Sequence, residues 1–248
     1  DPDAAETLRL NHSKLKCAVL EEDVKNISFK TWRGEKSTIL IGGPPCQPFS
    51  KNGYWVKNDN RLIEEDPRNL LGQFLRGVKE MRPQGFLFEN VESIMHTTNR
   101  GALESFVSSA EARGFACTVF RTNAADFGVP QKRKRVFVFG IRDAKKPIPE
   151  PNATHSDPIK KDWNDSLLPY VGVGQFIKKF SGKKFSEPQE DASQGTYYNE
   201  LVHVLTGKNY MSLSKLENYD GRTFRSGGRF WNFLYKLDAD LPSITIAA

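Results

Sequence analysis

Cysteine, histidine and long apolar runs are all scarce in this chain, and each scarcity removes a class of protein. There are three cysteines in 248 residues and no Cys-x-x-Cys pair. That excludes a disulfide scaffold and a cysteine-rich zinc site, and it fits a reducing, intracellular compartment. The four histidines, His12, His96, His155 and His203, stand apart from the motifs described below. A thiol hydrolase would therefore lack its usual base. No apolar run approaches the roughly 18 residues of a membrane span, and no basic-then-apolar leader opens the chain. Residue 1 is Asp rather than Met, which suggests a fragment or a processed product.

What is present is ordinary soluble composition, 38% hydrophobic and 27% charged, with length for one large domain or two small ones. The net charge of +6 is unevenly placed. Residues 131–156 hold seven basic residues, Lys132, Arg133, Lys134, Arg135, Arg142, Lys145 and Lys146, against only Asp143 and Glu150. Such a cluster is either a solvated, localisation-like basic run or a contact for an anionic partner.

The first 142 residues alternate helical and strand signals. Ala4 to Leu10 reads as a short helix, and Cys17 to Leu20 as a short buried strand. Ser37 to Ile41 is a β-branched strand that stops at Gly42-Gly43-Pro44-Pro45. Apolar residues at 70, 71, 74, 75, 78 and 81 predict a helix over 70–81. Gly85 to Phe88 is strand-like and ends on Glu89-Asn90. A helix over 102–112 and strands over 115–120 and 136–141 follow. This alternation predicts a parallel sheet with helices on both faces, and ligands in such sheets lie beyond the strand ends. Four of the 14 prolines fall between Pro147 and Pro158 and mark a linker. Beyond it, residues 159–248 lack regular alternation and read as a small irregular domain.

Three groups of residues carry chemistry. Cys46 sits in a proline-stiffened loop at a strand end, where a rigidly held thiol is a candidate nucleophile. Cys17 and Cys117, with apolar neighbours, read as core. Glu89 follows the apolar run Phe86-Leu87-Phe88, and burial beside such a strand favours the protonated form of a carboxyl group. If the two strands are neighbours, Cys46 and Glu89 share one rim. Arg133 and Arg135 are two residues apart, so on a strand both guanidiniums share a face, suited to a phosphate or a carbonyl oxygen. Trp163, Tyr197, Tyr198, Trp231 and Tyr235 read as core more readily than as base contacts. Lys178-Lys179 and Lys183-Lys184 suit phosphates.

Taken together these residues resemble the DNA cytosine-5 methyltransferases. Gly43-Pro-Pro-Cys46-Gln-Pro-Phe-Ser50 is similar to that family's catalytic loop, Glu89-Asn90-Val91 to its Glu-Asn-Val motif, and Gln131-Lys-Arg-Lys-Arg135 to its Gln-x-Arg-x-Arg motif. Asn123 to Pro130 resembles the segment before the last of these, and Pro242 to Ile246 the end of the target-recognition region. The resemblance covers residues 1–142 and 222–248, with 159–221 in the family's variable part. It implies an α/β fold: a Rossmann-like S-adenosylmethionine-dependent methyltransferase sheet with a smaller irregular target-recognition domain. The corresponding division is catalytic residues 1–146, linker 147–158 and target recognition 159–248.

The resemblance also implies roles. Cys46 would attack carbon 6 of a cytosine flipped out of double-stranded DNA, since the target atom is unreachable inside a duplex. A protonated Glu89 would meet the ring nitrogen and 4-amino group, Arg135 the ring carbonyl, and Arg133 would steady the loop or the acid. Asp23, in Glu22-Asp23-Val24, resembles the adenine-binding acid. Val24, Gly43, Pro45 and Leu71 complete the S-adenosylmethionine contacts, and Gln47, Ser50, Lys132 and Lys134 those to DNA. Residues 51–66 suit a loop that closes over the flipped base. The family's Gly-rich opening, its ribose acid and its closing Gly-Asn-Ser/Ala-Val motif are not among these 248 residues. The resemblance implies that such segments, or a complementary chain, supply the rest of the cofactor site. The rival readings are a tRNA cytosine-5 methyltransferase of the same fold and a non-catalytic DNA-binding fragment. The roughly 90 residues after the linker favour DNA, because reading a duplex demands a dedicated domain.

Overall fold

The computed structural model describes residues 1–14, 17–34, 38–45, 70–97, 99–159, 165–180, 195–222, 224 and 233–245. They fall into two compact units, residues 1–120 with 136–150, and residues 121–135 with 151–248.

Helix α1 (Pro2–Asn11) opens the first unit; the Asp1 carboxylate caps it by accepting the Ala4 N–H at 3.0 Å, and Pro2 fits a first helical position. Strand β1 (Ile39–Gly42), helix α2 (Leu70–Met81), strand β2 (Gly85–Val91) and helix α3 (Arg100–Glu111) follow. Strand β3 (Phe115–Asn123), the two-residue β4 (Gln131–Lys132) and β5 (Lys134–Arg142) come next. The sheet order is β1-β2-β5-β3. β1 and β2 are parallel, with Gly42 opposite Phe88.

The sheet is mixed, not wholly parallel as the alternation predicts. The Arg142 N–H reaches the Gln84 carbonyl and the Asp143 N–H reaches the Gly114 carbonyl, both at 2.8 Å. The end of β5 thus lies beside the starts of β2 and β3, so β5 runs against both. The reason is the connection: only residues 124–133 separate β3 from β5, too few for a helical crossover between parallel strands.

Residues 86 and 88 of β2, 136 and 138 of β5, 71, 74 and 78 of α2, and 103 and 106 of α3 form one core on one face of the sheet. Phe74, Phe86, Phe88, Phe106 and Phe115 interlock with centroids 4.9 to 6.1 Å apart. Each such ring, when fully buried, contributes about 1.5–3 kcal/mol. The periodicity read over 70–81 lands where expected, with Leu71, Phe74, Val78 and Met81 buried. Helix α3 lies on the same face as α2. The other face of β3 and β5 carries the half-buried, stacked pair Phe120 and Phe137.

Residues 17–20 are not a strand, and Cys17 and Leu20 are exposed. Among the described residues no strand pairs with this stretch, and an isolated extended segment has nothing to bury against.

Gly140 is a place where packing forbids a side chain. A Cβ there would sit 2.3 Å from Cε1 of the fully buried Phe86. Gly140→Ala is therefore expected to destabilise the protein by about 1–3 kcal/mol, measured by chemical denaturation. An unchanged midpoint would show that the ring can move aside.

In the second unit, β4 pairs in parallel with β8 (Ser243–Ile244), and β6 (His155–Ser156), inside the proline-rich stretch, pairs with β7 (Leu168–Pro169). Helices α4 (Gly174–Ile177) and α5 (Tyr198–His203) are short. Its core is aromatic: Tyr197, Tyr210, Phe224 and Phe233 meet edge-on, with Val204 and Leu213 buried beneath. Tyr197 is half-buried and packs its ring on Phe224 and Phe233, while Tyr198 is 40% exposed. Trp163, Trp231, Lys183 and Lys184 lie outside the described residues.

Candidate active site

The register of β1 on β2 builds one rim in the first unit. With Gly42 opposite Phe88, the next residues, Gly43 and Glu89, come together where β1 ends. Glu89 lies within β2, not after it. Its Oε2 would be 3.0 Å from a Cβ placed on Gly43, so the carboxylate rests against bare backbone and any side chain at 43 would press on it. The neighbouring strands that the sequence reading required are therefore present. Cys46 itself, with Gln47, Ser50 and the 51–66 loop, lies outside the described residues.

Asn90 is the residue this rim adds to the sequence reading. It is 3% exposed, donates from Nδ2 to the Pro44 carbonyl at 3.3 Å, and accepts the Val91 N–H on Oδ1 at 2.9 Å. A buried amide finds partners or costs stability, and here one partner is the backbone two residues before Cys46. The signal was its place after Glu89, in a strand otherwise buried and apolar.

Asp23 lies on an exposed turn. Its Oδ1 accepts the Lys25 N–H and its carbonyl accepts the Asn26 N–H, both at 2.9 Å. Val24 beside it is half-buried. Leu71 is 4% exposed and belongs to the hydrophobic core.

Arg133 and Arg135 belong to the second unit. Arg133 is not in a strand but in the single-residue link between β4 and β5. Its N–H donates to Asn123 Oδ1 at 2.9 Å and its carbonyl accepts the Ala124 N–H at 3.0 Å. The alternation survives this break: Arg133 and Arg135 are half-buried, while Lys132 and Lys134 are exposed. The Arg135 guanidinium donates to the Lys134 carbonyl at 2.7 Å, and Lys132 Nζ is 3.5 Å from Asp157 Oδ2.

The stretch over 242–245 meets this motif directly. The Ser243 N–H donates to the Pro130 carbonyl at 2.9 Å and Thr245 Oγ1 to the Lys132 carbonyl, also at 2.9 Å. Asn123 is braced in turn: its Nδ2 is 3.5 Å from Tyr170 Oη, which donates to Asp126. Burial, reinforced by that carboxylate, holds the Tyr170 phenol well above its ordinary range. Among the basic cluster, Arg142 has a structural task, donating to the Arg82 carbonyl at 2.6 Å.

Of the described thiols, Cys117 is half-buried, and burial pushes its pKa up to about 11. At neutral pH that keeps it in the thiol form, which is not the nucleophilic one. Cys17 is an exposed thiol.

The first unit's residues fit the S-adenosylmethionine that the sequence resemblance implies. An exposed carboxylate on a turn can accept from an amino group, a half-buried valine offers an apolar flank, and Gly43 leaves backbone open to close approach. Among the described residues no group of His, Cys, Asp and Glu could hold a metal ion, and no helix is long and apolar enough to cross a membrane.

The chain is 34% identical over 214 residues to the Type II methyltransferase M.SacI of Streptomyces achromogenes, covering 85% of the chain and 53% of that protein. It is 36% identical over 195 residues to the Type II methyltransferase M.AquIA of a Picosynechococcus species, covering 71% and 75%. The chain thus spans about half the length of the first of these relatives. A solved structure described as a DNA modification methyltransferase encoded within an E. coli prophage superposes with a TM-score of 0.57 at 20% identity. That match covers 99% of this chain and 73% of the other, and it shows the methyltransferase α/β fold. The profile of the C-5 cytosine-specific DNA methylases matches residues 1–233, and with the Cys loop, the Glu-Asn-Val strand and the paired arginines in order along it, the chain belongs to that family.

Proposed function

We propose that this chain serves an S-adenosylmethionine-dependent DNA cytosine-5 methyltransferase, which acts on a cytosine flipped out of duplex DNA through a covalent bond to Cys46. The observation that carries this reading is the Glu89 carboxylate seated against Gly43, at the start of the loop that holds Cys46. Both relatives named above are Type II methyltransferases, which supports a restriction–modification setting in a bacterial cytoplasm. We assign catalysis to residues 1–146 and target reading to 159–248, joined by 147–158.

Carbon 5 of cytosine is a poor nucleophile until something adds to carbon 6. In the proposed reaction the Cys46 thiolate forms a bond to carbon 6, and the electron pair of the 5,6 double bond becomes an enamine system with carbon 5 nucleophilic. Glu89 hydrogen-bonds the 4-amino group and gives its proton to the ring nitrogen as charge builds there. S-adenosylmethionine, when bound, supplies the electrophilic methyl group that carbon 5 takes up. Loss of the carbon 5 proton to a base restores the double bond and expels the Cys46 thiolate, while the ring nitrogen returns its proton to Glu89. Arg135 is assigned to the ring carbonyl oxygen, and Arg133 to steadying the loop or the acid. Asp23, Val24, Gly43, Pro45 and Leu71 are assigned to the cofactor. Gln47, Ser50, Lys132 and Lys134 are assigned to DNA, the lysines to phosphates.

The test is transfer of labelled methyl from S-adenosylmethionine to duplex DNA and to tRNA, followed by mapping of the product base. The expected product is 5-methylcytosine in DNA at a fixed sequence. Label confined to tRNA would overturn the choice of substrate, and label on any atom other than carbon 5 would overturn the chemistry.

A further inference from the structure

Helix α2 has a flank that the sheet core does not use, and it grips the turn that carries Asp23. Arg76 donates from Nη2 to the Val24 carbonyl at 2.7 Å and from Nη1 to the Ile27 carbonyl at 2.9 Å. Its Nε–H goes to Gln73 Oε1 at 2.8 Å, and Nη1 also meets Glu80 Oε2 at 3.2 Å. The same Glu80 oxygen accepts the Phe29 N–H at 3.1 Å, and the guanidinium lies 5.0 Å from the Phe29 ring centroid. Backbone carbonyls at 24 and 27 and the ring at 29 are thus held by one planar, five-donor group that is only about a quarter exposed.

The opposite side of the same helix is fixed to β1. Phe74 closes over Gly42, where a Cβ would come 2.9 Å from its ring. At Gly77 the two sides meet: a Cβ there would be 3.2 Å from Leu40 of β1 and 3.3 Å from Phe29. One helix therefore indexes the Asp23 turn against the end of β1, where Gly43 lies.

We propose that Arg76 is a positioning residue for the cofactor site, setting Asp23 and Val24 at their working distance from Gly43 without touching the cofactor itself. This deepens the methyltransferase reading and rests on it. Among the described residues, the hydrogen bond to the Asp23 side chain comes from within its own turn, from the Lys25 N–H. The placement of the whole turn therefore passes through the Val24 and Ile27 carbonyls. Methionine at 76 keeps the stem and loses every one of these bonds. Lysine keeps the charge but cannot reach both carbonyls in one plane.

The experiment is calorimetric titration of S-adenosylhomocysteine into the wild-type protein, Arg76→Met, Arg76→Lys and Arg100→Met. Arg100 makes an exposed i,i+4 pair with Glu104 and serves as the control. Arg76→Met is expected to raise Kd about 10- to 100-fold, as loss of a supporting outer contact does at other preorganised sites. Its binding stoichiometry should stay at the wild-type value, Arg76→Lys should fall between, and Arg100→Met should match wild type. In turnover, KM for S-adenosylmethionine rises while kcat at saturation stays within about twofold. If Arg76→Met lowers only the stoichiometry, with Kd unchanged in the fraction that binds, Arg76 merely supports folding and the proposal is overturned. Equal Kd and stoichiometry in all variants overturns it as well. Failure of the wild type to bind S-adenosylhomocysteine at all would instead remove the cofactor assignment on which the proposal rests.

Discussion

Replacing Cys46 with serine is expected to lower methyl transfer by about 10³-fold or more, with folding and DNA affinity nearly unchanged. The size follows from the chemistry: a hydroxyl is far less acidic than a thiol and is a poor nucleophile at neutral pH without a strong base. The change also removes little volume. Proline at 44 and 45 keeps the chain stiff up to that position, and the Asn90 amide holds the Pro44 carbonyl at 3.3 Å, a contact that does not involve the thiol. Single-turnover methylation and a gel-shift titration read the two quantities separately. Cys117→Ser provides the contrast. That thiol, with its pKa at about 11, is protonated in the working range, so the substitution is expected to leave turnover intact. Activity retained in Cys46→Ser would mean that another group makes the bond to carbon 6.

The second large effect is expected from Glu89→Gln. An amide has the same shape and can remain against Gly43, so DNA affinity should change by no more than a few-fold. The amide cannot give a proton to the ring nitrogen, and loss of a positioned general acid lowers kcat by about 10²- to 10⁴-fold. The result that would assign Glu89 a structural role is a loss confined to affinity, with kcat unchanged at saturating DNA.

These predictions rest on features of unequal legibility. Helix α2 was readable to the residue because its apolar positions repeat with helical period and its buried face is continuous. The rim of Gly43 and Glu89 was half-readable. Two strand ends with polar residues were visible, but their adjacency depended on a pairing that no local pattern encodes. The direction of β5 was hidden in the length of a connection rather than in β5 itself. Cys17 to Leu20 misled because a short apolar run signals burial only if a partner strand exists. The contacts that hold the arginine motif were harder still. Ser243 and Thr245 reach Pro130 and Lys132 across more than a hundred residues, through backbone carbonyls that every residue possesses. Arg76 carries no sequence signal for the same reason: its carbonyl partners are main-chain oxygens, and its position in the helix looks like that of any solvent-facing arginine. Side-chain patterns report what is buried. They say little about which polar group reaches which carbonyl.

The central claim is that Cys46 forms the bond that activates the cytosine. The most direct measurement uses duplex DNA carrying 5-fluorocytosine at the target position, incubated with protein and S-adenosylmethionine. Fluorine at carbon 5 cannot leave as a proton does, so the adduct that normally collapses is trapped. After nuclease and protease digestion, mass spectrometry locates the modified peptide. The account predicts a methylated, fluorinated nucleoside on Cys46 and on no other residue. Attachment to the exposed Cys17 or to Cys117, or transfer of methyl without any trapped adduct, would contradict it.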